Sequence, residues 1–345
     1  EGVVAGLPSS EAQHRQALGG LVDRDRRVER HRVEALVKRA CCRNRNGVLV
    51  AAGSRVRGDR ARPVGVDDPA QLGGDFVECL AHPLPGEVVF RFIGFPEADD
   101  EQLKEWCGNR LAFSWGQPTP REQVEIARNM VAYWRYVRAF TASKRDHPGD
   151  DFASELLADH AANPEDLGYR EVESILYGLS FAGHEPVTLL LGNALLSFLA
   201  DRSAWDQLCA TPERIPAALD EVIRWNSPQI GWRRFSTRDT TLDGVEIPAG
   251  TQGFLNLGAA NHDPREFTDP GLFDIDRVNA RNNISFGKGN HYCLGAKFAR
   301  IEARIVLEVL AEKVPSLRLV DDQDVIRFPN ISFRGPSRLL VDWER

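Results

Sequence analysis

The sequence predicts a mainly α-helical fold, a helical bundle around a long central helix with small β-sheets. Residues 169–200 carry apolar side chains on almost every face, which is typical of a helix buried on all sides. Residues 121–144 and the stretch after Gly295 place apolar residues at helical spacing. The strand patterns are short, and the clearest is residues 241–251, where an Asp-Gly turn separates two extended segments.

Length, charge and cysteine content limit the class of protein. A chain of 345 residues can bury a substantial core, and we expect one domain over residues 1–345. The formal net charge is -7 and no long basic run is present, so we expect no nucleic acid as a partner. No stretch reaches the roughly 18 consecutive apolar residues of a membrane helix, and the start lacks the pattern of a signal peptide. The six cysteines lack the paired spacing of a disulfide or zinc framework. We therefore expect a soluble, monomeric, cytoplasmic protein without a membrane partner.

Helix signals follow one another from residue 75 onward. The first predicted helix is buried, with Gly94 at its end and Pro96 just beyond. Residues 146–150 break the long amphipathic helix, and residues 327–341 suggest a final hairpin. The predicted helices cover residues 75–96, 101–111, 121–144, a segment that begins at 152, residues 169–200 and the stretch after Gly295.

Residues 284–296 present a single cysteine in a glycine-rich loop directly before an amphipathic helix. Gly287 and Gly289 allow the backbone to turn tightly and to approach something flat and bulky. Cys293 lies at the mouth of the helix N-terminus, where unpaired N–H groups and the helix dipole favour a thiolate. A thiolate in that position suits axial ligation of haem iron, and the alternative is a buried structural cysteine.

The full pattern, Phe-Gly-x-Gly-x-His-x-Cys-x-Gly, resembles the haem-binding loop of the cytochromes P450. The resemblance implies a cytochrome P450 fold, haem b as the cofactor and Cys293 as the ligand of its iron. It also places His291 near a haem propionate and Phe286 beside the sulfur, with Gly287 and Gly295 as the glycines of the loop.

The middle of the predicted central helix, residues 181–187, is similar to the oxygen-binding motif Ala-Gly-x-Asp/Glu-Thr of that family. The resemblance implies catalytic positions for Ala182, Gly183 and Glu185, although Gly183 could equally mark close packing. The alcohol position holds Pro186, which has no hydroxyl and removes a backbone donor. We therefore expect the helix to open locally here, and Glu185, a substrate group or ordered water to handle protons.

Three further positions resemble the family. Glu221 and Arg224 match its structural Glu–Arg pair, but Leu272 occupies the place of the Arg that would complete a triad. The pair therefore relies on Arg277 or stands alone. Arg234 matches an Arg that pairs with a haem propionate, for which a guanidinium is well suited; the alternative is an ordinary surface arginine.

The N-terminal part departs from the family more strongly. Residues 9–15 resemble a segment in which a His and a later Arg hold haem propionates; His14 matches the first, whereas Leu18 occupies the place of the second. On that alignment the first helices and strands of the family are absent. Residues 41–72 have no helical stripe, so they are an ordinary surface loop or reflect a shifted reading frame in GC-rich DNA.

The resemblance implies a haem-thiolate monooxygenase that inserts one oxygen atom from O₂ into a small hydrophobic molecule of secondary metabolism. A separate ferredoxin or flavodoxin would supply the electrons. The basic residues that would receive it, unless they form only a solvated face, are Lys288, Lys297, Arg300 and Arg304. Because Pro186 replaces the threonine, oxidative coupling, peroxygenation or substrate-assisted oxidation is a second interpretation. A non-catalytic helper protein is a third, and the retained Cys293 argues against it.

Overall fold

The structure is a computed structural model that describes Glu34 and residues 71–344. The predictions for His14 and, up to residue 70, for residues 41–72 lie outside the described residues. Within the described part, helices form most of the structure and the strands are short, which confirms the mainly α prediction. The helices are α1 Pro83–Ile93, α2 Asp100–Trp115, α3 Pro120–Asp146, α4 Phe152–Ala162, α5 Tyr169–Ala182, α6 Glu185–Ala200, α7 Arg202–Ala210, α8 Ile215–Trp225, α9 Leu257–Ala260 and α10 Ala296–Lys313.

Helix ends follow local chemistry. At the start of α3, the Glu122 N–H donates to the Thr119 hydroxyl at 3.4 Å and the Thr119 N–H donates to the Glu122 carboxylate at 2.7 Å. This reciprocal pair is a capping box. Helix α1 ends at Gly94, whose φ of 100° favours glycine. A π-helical turn, Val77–Ala81, precedes α1, so the predicted helix over residues 75–96 is divided.

The predicted central helix over residues 169–200 is two helices. Helix α5 ends at Ala182 and α6 begins at Glu185, with a two-residue turn at 183–184 between them. Pro186 is the second residue of α6, where a missing N–H costs no intrahelical hydrogen bond. The local opening that the proline predicted is confirmed.

Two apolar cores lie on either side of this break. Leu190 and Phe198 of α6 belong to one core, in which α6 contacts α8 and α10. Leu176 of α5 belongs to the other, in which α5 contacts α1, α2, α3 and α4. Burying each such side chain stabilises the fold by about 1.5–3 kcal/mol. The break therefore lies where the two halves of the bundle meet.

Small antiparallel sheets flank the helices, as predicted. The strands are β1 Gln71–Asp75, β2 Gly231–Phe235, β3 Thr240–Leu242, β4 Val245–Ile247, β5 Gln252–Asn256, β6 Arg318–Leu319 and β7 Leu340–Glu344. They form one sheet in the order β1-β7-β6 and the pairs β2–β5 and β3–β4. Asp243 and Gly244 join β3 to β4 with φ of 50° and 78°, the backbone of the predicted Asp-Gly hairpin.

The predicted final hairpin over residues 327–341 is present only in part: the Phe328 N–H donates to the Gly335 carbonyl at 2.9 Å and the Ser337 N–H to the Ile326 carbonyl at 2.8 Å, but no strand ladder extends this pairing. Arg327 and Pro336 meet at one isolated bridge, and β7 pairs with β1 and β6 instead. The intervening segment bonds to the chain after α8: the Ile230 N–H donates to the Ser332 carbonyl at 2.7 Å. Prolines in the segment lack the N–H groups that a ladder requires.

Candidate active site

The loop that carries Cys293 is closed by its own backbone. The Cys293 N–H donates to the Phe286 carbonyl at 2.8 Å, and the Tyr292 N–H donates to the Gly289 carbonyl at 3.0 Å. Gly287 and Gly289 have φ of 75° and 74°, a region that side-chain-bearing residues rarely adopt. The predicted tight turn is confirmed, and α10 begins three residues after the cysteine.

The Cys293 thiol is open to solvent on one side and surrounded by protein elsewhere. Burial raises the pKa of this thiol, while the Gly295 N–H and the Arg300 charge lower it less strongly. The expectation that the helix N-terminus alone favours a thiolate is therefore wrong for the protein by itself, because loss of hydration dominates. Coordination to a metal cation would deprotonate such a thiol.

Helix α10 buries the predicted apolar stripe, including Ile301, Ile305 and Val309. Glu302, which the pattern places off that stripe, is also fully buried. Of the basic side chains expected around Cys293, the two arginines are only partly exposed. The Arg300 guanidinium lies 4.4 Å from the Phe286 ring centroid and donates to Asp220 at 2.8 Å.

Arg304 faces Glu308 at 3.3 Å, whereas Lys288 and Lys297 are exposed. The basic surface at this loop is therefore smaller than the sequence predicts. It consists chiefly of the two lysines, because each arginine already faces a carboxylate of its own chain.

Helix α1 connects the cysteine loop to the break between α5 and α6. Val89 of α1 packs on Gly183, where an added Cβ would lie 2.5 Å from the Val89 Cγ2. One turn later, the Phe92 ring lies 5.4 Å from the ring of Phe298, five residues after Cys293. Helix α1 thus contacts Gly183 of one motif and α10, the helix that follows the other motif. Close packing accounts for the glycine at position 183.

Ala182 is exposed, whereas Phe181 and Gly183 on either side of it are half-buried. Glu185 is buried, and burial raises the pKa of its carboxyl to about 7. His184 is fully buried, which lowers its pKa to about 3. The motif itself contained His184, but its role depends on a contact with His82, 102 positions earlier, that no local pattern predicts.

Arg234 lies on β2 and is exposed. Its guanidinium donates to the Arg233 carbonyl at 2.9 Å and lies 5.7 Å from the Trp232 ring centroid. Among residues 71–344, no carboxylate pairs with Arg234. His291 is likewise exposed, on the turn that precedes Cys293. Both side chains are accessible to an anionic group.

These residues fit a haem. A cysteine thiol is a known axial ligand of haem iron, and Leu294 and Tyr292 beside it expose apolar surface. An added Cβ at Gly289 or Gly295 would meet no atom within 4 Å, so the loop leaves space on its outer side. Apolar surface and a lone thiol suit a flat apolar macrocycle that carries a metal.

The buried Glu221–Arg224 pair supports the segment before the loop. Arg224 Nε and Glu221 Oε2 are 2.7 Å apart, and both side chains are fully buried. Arg277 Nε donates to Glu221 Oε1 at 3.1 Å, which confirms that the pair relies on Arg277. Leu272 exposes its side chain, while its carbonyl accepts from Arg224 and Arg277, at 3.1 Å in each case.

A cavity of about 360 Å³ lies between α2, α3 and residues 328–330.

Within residues 71–344, no helix combines the length and the apolar character that crossing a membrane requires.

A family model described as Cytochrome P450 matches residues 214–313, which include Cys293 and the Glu221–Arg224 pair. The biotin biosynthesis cytochrome P450 of Bacillus subtilis is 34% identical over 273 residues, covering 78% of this chain and 67% of the relative. The mycinamicin IV hydroxylase/epoxidase of Micromonospora griseorubida is 33% identical over 293 residues, covering 82% and 72%.

Solved structures of similar fold include cytochrome P450 CREJ in complex with (4-ethylphenyl) dihydrogen phosphate. Its TM-score is 0.82 at 32% identity, with 100% of this chain and 80% of that chain covered. P450BioI in complex with an acyl carrier protein has a TM-score of 0.82 at 27% identity, with 98% and 81% covered.

Proposed function

We propose, since this chain belongs to the cytochrome P450 family, that it is a haem-thiolate monooxygenase acting on a small hydrophobic molecule. The family binds haem iron, and its members similar to this chain are named monooxygenases and hydroxylases. The observation that carries the proposal is Cys293, held in a backbone-closed loop beside accessible apolar surface.

Each residue predicted to contact the haem has a proposed role. Cys293 would ligate the iron, with Phe286 beside the sulfur, and Gly287 and Gly295 would leave room for the macrocycle. Arg234 would pair with one propionate because its guanidinium is exposed and has no carboxylate partner in the described part of the chain. His291 would lie near a propionate from the adjacent turn. When bound, haem supplies the chemistry that activates oxygen, and the protein supplies position and protons.

Glu185 is the proposed proton donor of the site. A carboxyl with a pKa of about 7 carries a proton about half of the time at neutral pH, a favourable value for an acid catalyst. Pro186 beside it has no hydroxyl, so a proton cannot pass through a side chain at that position. Ala182, exposed at the end of α5, would leave space for the reacting groups, and Gly183 would keep α5 close to α1.

The substrate is proposed from the relatives. Proteins similar to this chain include a mycinamicin IV hydroxylase/epoxidase and an erythromycin C-12 hydroxylase. We therefore propose a hydrophobic secondary metabolite. We propose that the cavity between α2, α3 and residues 328–330 forms part of the substrate pocket.

Lys288 and Lys297 would contact an acidic ferredoxin or flavodoxin, because opposite charges steer association. We further propose a monomeric protein of the cytoplasm. The redox-partner proposal extends the broader finding that soluble bacterial members of the family act on small substrates with redox partners.

The absorption spectrum of the reduced, carbon-monoxide-bound protein tests the proposal, because it reports haem and thiolate together. We expect the thiolate spectrum for the parent and its loss in Cys293→Ser. Cys209→Ser, a half-buried cysteine on α7, is the matched control and should keep it. A parent that stays colourless after hemin reconstitution, or that shows imidazole or water as the axial ligand, would refute the proposal.

Pro186 favours a second candidate function, an atypical oxidation such as coupling, peroxygenation or substrate-assisted oxidation. Pro186→Thr distinguishes the two. A large gain in product formed per electron consumed would show that the missing hydroxyl limits ordinary hydroxylation. An unchanged ratio would show that the parent already delivers protons by another route. A non-catalytic helper role is disfavoured because Cys293 is retained.

A further inference from the structure

We infer that His184 is a positioning residue, which accepts a hydrogen bond from the neutral carboxyl of Glu185 and so holds the proton that Glu185 delivers. This inference rests on the proposed function, in which Glu185 is the acid. It assigns a role to a side chain that lies at the break between α5 and α6 and that the family motif leaves unspecified.

The tautomer of His184 follows from one contact. Its Nε2 lies 2.9 Å from the backbone carbonyl of His82. A carbonyl only accepts hydrogen bonds, so Nε2 must carry the hydrogen, and in the neutral ring Nδ1 then holds a lone pair. The imidazole is fully buried, which disfavours the charged form. His184 is therefore fixed as a neutral ring with one acceptor atom.

That acceptor atom faces Glu185. Nδ1 of His184 has no hydrogen-bond partner in the described part of the chain, and it lies 3.9 Å from Glu185 Oε1. A small rotation of the carboxyl brings the two atoms into hydrogen-bond range. Because Nδ1 carries no proton, only the protonated carboxyl can make this bond. The contact thus selects the proton-bearing form of Glu185.

The groups around His184 and Glu185 favour the neutral forms of both side chains. Glu185 Oε1 lies against Gly108 of α2, and Cys107 on the same helix is a neutral thiol because burial raises its pKa. Lys104, also on α2, repels added positive charge on His82 and His184. Its own charge faces carboxylates of other residues, Glu101 at 3.2 Å and Glu87 at 3.7 Å. No cation of the described residues stabilises the Glu185 carboxylate.

A metal ion is the main alternative occupant, since ligand atoms of His82, His184 and Glu185 lie within 4.8 Å of one another. The buried Lys104 ammonium disfavours it, because its charge acts on both His82 and His184 and opposes a second cation beside them. The same residues therefore fit a proton better than a divalent metal.

The O–H bond of the Glu185 carboxyl breaks as its proton leaves for the acceptor in the site, which leaves a carboxylate. The carboxylate then takes one proton from water, and the new carboxyl returns to Nδ1 of His184. His184 stays neutral throughout, so it orients the acid without itself becoming an acid.

Two substitutions distinguish the role of Nδ1 of His184 from the role of Nε2. Asn at this position keeps an acceptor near the place of Nδ1, whereas Gln keeps a donor near the place of Nε2. The infrared C=O stretch of the protonated Glu185 carboxyl, assigned with Glu185→Gln, is followed against pH. We expect His184→Asn to keep the parent midpoint. His184→Gln should lower it by about one pH unit, because one hydrogen bond to the neutral form is lost.

Equal midpoints for the parent and both variants would overturn the inference. A shift in His184→Asn alone would also overturn it, because a purely structural His184 depends on its hydrogen bond to the His82 carbonyl. Stoichiometric zinc in the purified parent that is lost in both variants would overturn it in favour of a metal site. The infrared measurement does not depend on the iron. A parent without a thiolate spectrum therefore refutes the proposed function, while the midpoints still decide the role of His184.

Discussion

Glu185→Gln should make the protein more stable at alkaline pH. The folded protein holds the Glu185 proton up to about pH 7, whereas an unperturbed glutamate loses it near 4.5. The difference is about 2.5 pH units, and at 1.36 kcal/mol per unit the buried carboxylate costs about 3 kcal/mol above pH 7. Glutamine is neutral at every pH and does not carry this cost.

The pH window follows from the direction of the shift. A raised acid pKa gives stability that is complete below pH 4.5 and is lost as the pH rises through 7. His184 acts in the opposite sense: its pKa is lowered from 6.5 to about 3, so its contribution is complete above 6.5 and is lost as the pH falls. The two effects oppose each other between 4.5 and 6.5. The Glu185 effect is therefore clearest above pH 7.

The assay is urea unfolding of parent and Glu185→Gln at pH 5 and pH 8.5. We expect a gain of about 2.5 kcal/mol at pH 8.5 relative to the difference at pH 5, because a small part of the cost is already present at pH 5. Glu125→Gln is the matched control: this exposed glutamate of α3 lies 3.7 Å from Arg121 and should change stability by less than about 0.5 kcal/mol. A difference between parent and Glu185→Gln that is the same at both pH values would refute the reasoning.

Two further predictions concern packing and the buried ion pair. Arg277→Leu should lower the unfolding free energy by about 3 kcal/mol, because it removes a partner of the buried Glu221 carboxylate. Leu272→Ala should leave it within about 0.5 kcal/mol, since only the carbonyl of that residue is used; equal losses in the two urea titrations would contradict this. Gly183→Ala should cost about 1–3 kcal/mol because the new methyl group would overlap Val89. The double variant with Val89→Ala should recover part of that loss, and strictly additive losses would show that the two side chains do not conflict.

The sequence predicted the helices well wherever apolar spacing and punctuation agreed. Helix α3 begins at a Pro beside a Thr-x-x-Glu capping box, and α1 ends at Gly94, so local chemistry fixed both ends. The Asp243-Gly244 turn was readable for the same reason, because few other residues tolerate its positive φ. The glycine-rich loop before α10 was likewise predictable from its residues alone.

Contacts between residues far apart in the sequence could not be predicted from the spacing of apolar residues. The bond between His184 and the His82 carbonyl joins residues 102 positions apart, and residues 332–334 of the segment before β7 bond to the chain near Ile230. The Cys293 thiol pKa was predicted in the wrong direction because burial is a property of the whole fold. Leu272 was correctly recognised as a missing partner, but only the structure shows that Arg277 donates to Glu221 in its place.

Pro186 is compatible with the fold even though it lies in the middle of the predicted central helix. In an unbroken helix it would clash with the carbonyl of Ala182 and remove one hydrogen bond, at a cost of about 3 kcal/mol. In the structure a new helix begins at Glu185, and its first backbone bond is donated by the Thr188 N–H to the His184 carbonyl at 3.0 Å. A backbone N–H at position 186 would have had no intrahelical partner, so the lack of this group in proline does not destabilise the helix.

Pro186→Thr should therefore change stability by less than about 1 kcal/mol in urea unfolding, because a threonine N–H at the second position of α6 needs no intrahelical acceptor. Any change in product formed per electron would then report proton delivery rather than folding. A loss of several kcal/mol would show instead that the ring holds α5 and α6 apart. In that case a structural requirement for proline, and not the reaction, would explain why position 186 carries no hydroxyl.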